Sequence, residues 1–409
     1  MDYNQNNNNM NPNLGQFNPY AYNQNMGYNH NNMNNQYNQT QYGQNPYYNA
    51  PQQNTNVYYG QMPYGAVNNV QNSAQNYFNN QQRFLRLREQ KNEIKKYSTV
   101  FAIAMLCFLF ASYVISFILS LGNLMAIYEN NSTFSASINV FYSLVSVGVP
   151  FLIANKYLNK NRMQTETARM IYSAPKNPLK TVSLIFASVL GCIGAMYITG
   201  VITAFFNMFG YDVSAGGEPK VNSILDIIAM FISTAIVPPL VEEFAMRNVL
   251  MQNLRKYGNW FAVFASAFAF GIFHGTPTQI PFAFLCGLFI GYAVIATESI
   301  WTGVIIHAIV NGMSCVYYTA MYFTDEDTGD KIYSIILIIF ALLGIMGLLI
   351  YLLKYRDEFS RVINFNGLND YSNGQKFKKF IFTPMMIIAI IVFIVQAIGC
   401  ITPSTGVTT

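Results

Sequence analysis

From Ser98 onward the chain alternates long apolar runs with short polar stretches. The runs cover Ser98 to Leu121, Ile138 to Leu158, Val182 to Phe209, Ile224 onward, Trp260 to Phe273, Ile280 to Ala296, Trp301 to Phe323, Ile332 to Leu353 and Phe380 to Ile401. Most reach the roughly 20 residues that a helix needs to cross hydrocarbon. Those near Trp260 and Ile280 are shorter and qualify as spans only when packed against neighbours or partly re-entrant. The pattern predicts an all-α polytopic transmembrane helix bundle of about eight or nine spans.

Before residue 83 the pattern inverts. Asn, Gln, Tyr, Gly and Met dominate, with almost no aliphatic run to offset the entropy of ordering. Residues 1–82 therefore read as a disordered low-complexity tail, either a solvated appendage or a weak self-association segment. No basic region followed by an apolar core marks a secretory signal. A basic juxtamembrane segment follows at 83–97, with Arg83, Arg86, Arg88, Lys91, Lys95 and Lys96. It should hold the N-terminal side in the cytoplasm, and its spacing also suits a short interfacial helix. The membrane domain is expected over 98–402, and a short C-terminal tail over 403–409.

Composition sharpens this division: 52% of the residues are hydrophobic and 10% charged, against roughly 25% charged in a soluble chain. Charge then orients the helices. The stretch from Lys156 to Lys180, the pair Arg255 and Lys256, and the stretch from Lys354 to Lys379 are basic and should be cytoplasmic, whereas Asp325, Glu326, Asp327 and Asp330 belong to the other side. An integral multi-pass protein follows, in the plasma membrane if the source is bacterial. The net charge of +5 needs no nucleic acid to explain it, and no phosphate loop or nucleic-acid signature is present. The five cysteines lie in apolar segments without Cys-x-x-Cys spacing, which makes buried thiols the expectation.

The informative residues are polar ones placed where polarity is costly. Ile224 to Lys256 reads as one helix bent at Pro238-Pro239, because each proline removes a donor and crowds the preceding turn. Just beyond the bend stand Glu242 and Glu243, roughly 20 Å along the helix from Lys256. Glu243 and Arg247 are four apart and should pair, whereas Glu242 points about 100 degrees away and is free to face a cavity. A buried Glu–Arg pair that only fixes helix register explains those three residues equally well. His274 and His307 shift the balance, because only three histidines exist and these two lie at or in apolar runs. Phe270 precedes His274 by four residues, and His307 precedes Asn311 by four, so each pair shares a helix face. Together the residues include a base, possible metal ligands and oxyanion donors.

Glu-Glu-x-x-x-Arg at Glu242, Glu243 and Arg247, Phe-x-x-x-His at Phe270 and His274, and His-x-x-x-Asn at His307 and Asn311 resemble, in order, the motifs of the CAAX-protease and bacteriocin-processing (CPBP, or Abi) family. That family includes the Ras-converting type of CAAX prenyl endopeptidase. The resemblance covers about 223–319. It implies a membrane-embedded endopeptidase acting on a membrane-anchored peptide or protein, with Glu242 and His274 activating water, Glu243 and Arg247 supporting the site, and His307 and Asn311 stabilising the oxyanion. Whether a metal takes part is left open. Glu242, His274 and His307 are the candidate zinc ligands, but the His-Glu-x-x-His spacing is absent. Two other classes stay in view: a transporter or proton relay, which would also use buried Glu, Arg and His, and a non-catalytic immunity protein. Against the transporter stands the lack of an inverted repeat. The substrate is not specified by the chain, which itself ends in Gly-Val-Thr-Thr rather than a CAAX cysteine.

Overall fold

A computed structural model describes residues 64–159, 172–213, 219, 221–365, 367 and 371–403. Twelve helices make up nearly all of it: α1 (Tyr64–Ser120), α2 (Leu124–Asn130), α3 (Ser132–Asn159), α4 (Pro178–Met208), α5 (Ile224–Tyr257), α6 (Asn259–His274), α7 (Gln279–Thr297), α8 (Ile300–Phe323), α9 (Glu326–Lys354), α10 (Arg356–Asn364), α11 (Asn373–Ile381) and α12 (Pro384–Gly399). The one strand pairing among the described residues is a two-residue antiparallel bridge between Tyr211–Asp212 and Thr402–Pro403. Among the described residues seven helices, α1, α3, α4, α5, α7, α8 and α9, are long and apolar enough to cross a bilayer. The protein is an all-helical, multi-pass membrane protein.

Two expected spans take other forms. The run from Phe380 to Ile401 is not one straight helix: α11 and α12 meet at a 75° bend. Pro384 disfavours helical backbone at the residue before it, and Thr383 is extended there (φ −101°, ψ 145°) while its side chain accepts from Met386 N–H to cap α12. Helix α6, with 16 residues, falls short of a span. Its sides are almost wholly buried, packed by α5, α7, α11 and α12. A helix enclosed by protein has its polar groups satisfied without matching the bilayer thickness. The run at Ile280, by contrast, is complete as α7.

The low-complexity tail also needs correction. Residues 1–63 lie outside the described residues, but 64–82 form the first turns of α1, not structureless chain. Extending a helix already nucleated by the membrane segment fixes one residue per bond gained, far cheaper than starting one. The basic segment 83–97 is likewise part of that continuous helix and not a separate interfacial element.

Close packing relies on small residues, as expected where lipid supplies no hydrophobic drive between helices. Helix α9 runs along α4 so tightly that a Cβ on Gly344 would stand 2.5 Å from Leu190 Cβ, and one on Gly347 would stand 2.6 Å from Ser183 O. Helices α6 and α7 meet in the same way at Gly287, where a Cβ would lie 3.0 Å from Ala267 Cα. Large apolar side chains such as Phe117, Leu342 and Leu353 are left on the outside, where lipid covers them.

Candidate active site

Helix α5 carries the two carboxylates. Its turns widen to π geometry over Phe231–Ile236, immediately before Pro238-Pro239, and again over Phe244–Met251. The first widened turn gives room for the proline rings against the preceding carbonyls, so the helix passes the prolines without breaking. Beyond them Glu243 is fully buried and Glu242 keeps 15% of its side chain exposed.

Arg247 neutralises Glu243. Its Nε–H donates to Glu243 Oε2 at 2.8 Å, with Nη2 3.5 Å from Oε1, and neither side chain is exposed. Its Nη1 donates to Ser266 Oγ at 3.0 Å, and that hydroxyl donates to Met246 O at 3.0 Å. The guanidinium also lies 5.7 Å from the Phe270 ring centre. No room is left for movement, since a Cβ on Gly303 of α8 would fall 2.7 Å from Glu243 Oε2.

His307 links the two carboxylates. Its Nδ1–H donates to Glu243 Oε1 at 3.3 Å, which directs Nε2 toward Glu242 Oε2 at 3.8 Å. The latter separation is too long for a hydrogen bond. Glu242 makes no hydrogen bond to any other described residue. His274, at the last turn of α6, gives its Nδ1 to Phe270 O at 2.9 Å, leaving Nε2 available, and it lies within electrostatic reach of Glu242. The turn after it ends at Gly275, in the left-handed region at φ 62°, which stops α6 with His274 at its tip. Phe270 holds both imidazoles by edge contacts, 4.7 Å to His274 and 5.5 Å to His307 between ring centres.

Five of the six site residues expected from sequence, Glu242, Glu243, Arg247, His274 and His307, thus share one polar cluster made by α5, α6 and α8. Asn311 is half-buried one turn beyond His307, and its Nδ2 donates to Thr234 O at 3.0 Å. Its amide is therefore engaged with backbone. The proposed zinc set of Glu242, His274 and His307 does not form a ligand group: no three His, Cys, Asp or Glu side chains among the described residues are arranged to hold a metal ion.

Sequence reasoning missed two contributors. Ser266 precedes Phe270 by four residues, so the spacing Ser-x-x-x-Phe-x-x-x-His at 266, 270 and 274 placed it on the same face as the histidine. Tyr142 of α3 lies within electrostatic reach of Glu242, with its hydroxyl 2.8 Å from Ser112 Oγ. Nothing in the local sequence of α3 marks it.

Residues 224–313 match the family model described as type II CAAX prenyl endopeptidase Rce1-like. The matched segment begins at the first residue of α5 and closes two residues after Asn311, so it holds all six expected site residues. No curated protein and no solved structure matches the chain.

Proposed function

With an Rce1-like segment as premise, we propose that this chain is an intramembrane endopeptidase that hydrolyses a peptide bond in a membrane-anchored peptide or protein, of the CAAX type. One observation carries the reading. Of two adjacent carboxylates, the buried Glu243 is neutralised by Arg247, while the largely buried Glu242 has no hydrogen-bond partner among the described residues and looks across 3.8 Å at an imidazole nitrogen. A lone register-fixing ion pair has no use for the second carboxylate. Leaving it without a partner at such depth is costly unless chemistry requires it.

In this reading Glu242 takes a proton from a water held between it and His274, and the water oxygen bonds to the scissile carbonyl carbon. The negative charge that develops on the carbonyl oxygen is met by His307 Nε2, whose ring is held by Glu243 through Nδ1. Nε2 serves as that donor when it carries a proton alongside Nδ1–H. Collapse of the tetrahedral intermediate breaks the C–N bond. The proton taken by Glu242 leaves on the amine, with His274 as relay. Asn311 gives one of its two amide hydrogens to Thr234 O and acts from outside the reacting atoms.

The test uses purified full-length protein in liposomes with a farnesylated peptide ending in a CAAX sequence, and cleavage is read by mass spectrometry. Glu242→Gln keeps size and burial and should abolish cleavage while leaving Tm close to wild type. Normal cleavage by a folded Glu242→Gln protein would overturn the mechanism. Dialysis against a chelator should leave activity intact; loss restored by zinc would return the metal to the site.

A further inference from the structure

The carbonyl of Thr234 gives Asn311 a task outside the reaction itself. Thr234 precedes Pro238 by four residues and Pro239 by five. In an α-helix its acceptor would be met by the N–H of residue 238, and in a π turn by that of residue 239. The turn here is of the π kind, with Val237 N–H donating to Ile232 O. Both natural donors are prolines, which have no N–H. The helix of Thr234 can therefore supply no donor in either geometry. An unpaired carbonyl inside a membrane protein is strongly disfavoured, so a donor must come from elsewhere. It comes from α8, as Asn311 Nδ2–H, at 3.0 Å.

This bond joins the two helices whose relative placement decides the site. Thr234 and the prolines lie on α5 just ahead of Glu242, and Asn311 lies on α8 one turn beyond His307. We infer that Asn311 is a positioning residue: its side chain replaces the backbone donor removed by Pro238-Pro239, and so fixes the direction of α5 at Glu242 relative to His307. The consequence for activity rests on the peptidase reading, whereas the hydrogen bond does not.

A double-mutant cycle tests it in the full-length protein. Asn311→Ala, the pair Pro238→Ala with Pro239→Ala, and all three together are compared for Tm, kcat and KM on the farnesylated peptide. In the wild-type background Asn311→Ala should lower Tm by about 2 to 4 °C. It should also lower kcat roughly 10- to 100-fold with KM little changed, because a misplaced base slows chemistry more than binding. In the alanine background the N–H groups are restored, and the same substitution should cost little of either. An equal fold-loss in both backgrounds, with Tm unmoved, would make Asn311 an oxyanion donor and defeat the inference. Should the alanine pair not fold, Asn311→Ala alone decides: a fall in Tm supports the bond's role, and an unchanged Tm overturns it. Were the chain no peptidase, none of these proteins would cleave the peptide, yet the Tm cycle would still be non-additive.

Discussion

Glu242 and Glu243 are neighbours in sequence with opposite circumstances in the fold. A helix turns about 100 degrees per residue, so adjacent side chains meet different surroundings. Glu243 meets Arg247 and His307, and Glu242 meets a partly open space. Changing Glu243 should therefore act on stability first. Glu243→Gln leaves Arg247 charged in a site with no solvent access, which should destabilise the fold by about 3 to 5 kcal/mol. Folded yield and activity should drop together in size-exclusion profiles and cleavage assays; a Glu243→Gln protein as stable as wild type would show that the pair is not the support described. The pairing was legible from spacing alone, because both partners share one helix. So was the contact of Phe270 with His274. The partner of Asn311 was not, because the hydrogen bond depends on a carbonyl in another helix that only the proline pair leaves free. Tyr142 was illegible for the same reason: its proximity to Glu242 is purely tertiary.

At the scale of elements, apolar length located the helices well and judged their straightness poorly. The run at Phe380 to Ile401 looked continuous because hydropathy ignores backbone direction. Thr383-Pro384 held the contrary signal, since the residue before proline avoids helical geometry. Helix α6 shows the reverse case, where a short run is sufficient because protein surrounds it. Close contacts between helices were not read from sequence at all. Gly344 and Gly347 are two of 27 glycines, and only the structure separates them from the rest. Gly344→Ala puts a methyl 2.5 Å from Leu190 Cβ, and 2.9 Å from the backbone oxygen of Phe186, which cannot move aside as a side chain can. Overpacking of this kind should cost about 1 to 3 kcal/mol. A lowered Tm is expected, while the folded fraction keeps its kcat because α4 and α9 carry none of the six candidate site residues. An unchanged Tm would mean that the two helices separate freely.

For the whole molecule, the division between tail and body has a physical boundary that composition placed only approximately. Although helix α1 begins at Tyr64, Tyr77, Phe78, Phe84 and Leu85 are all exposed, and among its described side chains, from residue 75 on, the buried positions begin with Gln90 and Ile94. A chain beginning at Arg83 keeps every one of those buried positions. It should purify as a monodisperse protein with wild-type Tm; aggregation of the shortened chain alone would assign the tail a structural role.

Orientation is a prediction at the same scale. Glu93, at the middle of α1 and just ahead of its apolar run, pairs with Lys256 and Tyr257 at the end of α5. Lys376 of α11 donates to Tyr257 O, and Tyr371 donates to Leu87 O, which brings the segment before α11 to that same end of the bundle. Lys180 pairs with Glu358 and Lys180 Nζ–H donates to Ala296 O, linking the starts of α4 and α10 to the end of α7. At the opposite end, Thr133 of α3 donates to Asp226 of α5, and the acidic stretch Asp325 to Asp330 joins α8 to α9. The basic stretches therefore gather at one end although they are far apart in sequence. Membrane insertion retains such clusters in the cytoplasm. In sealed right-side-out vesicles, a tag at the N-terminus should resist added protease, whereas one inserted between Asp327 and Asp330 should be cut. The reverse pattern would mean that some force other than these lysines and arginines orients the chain.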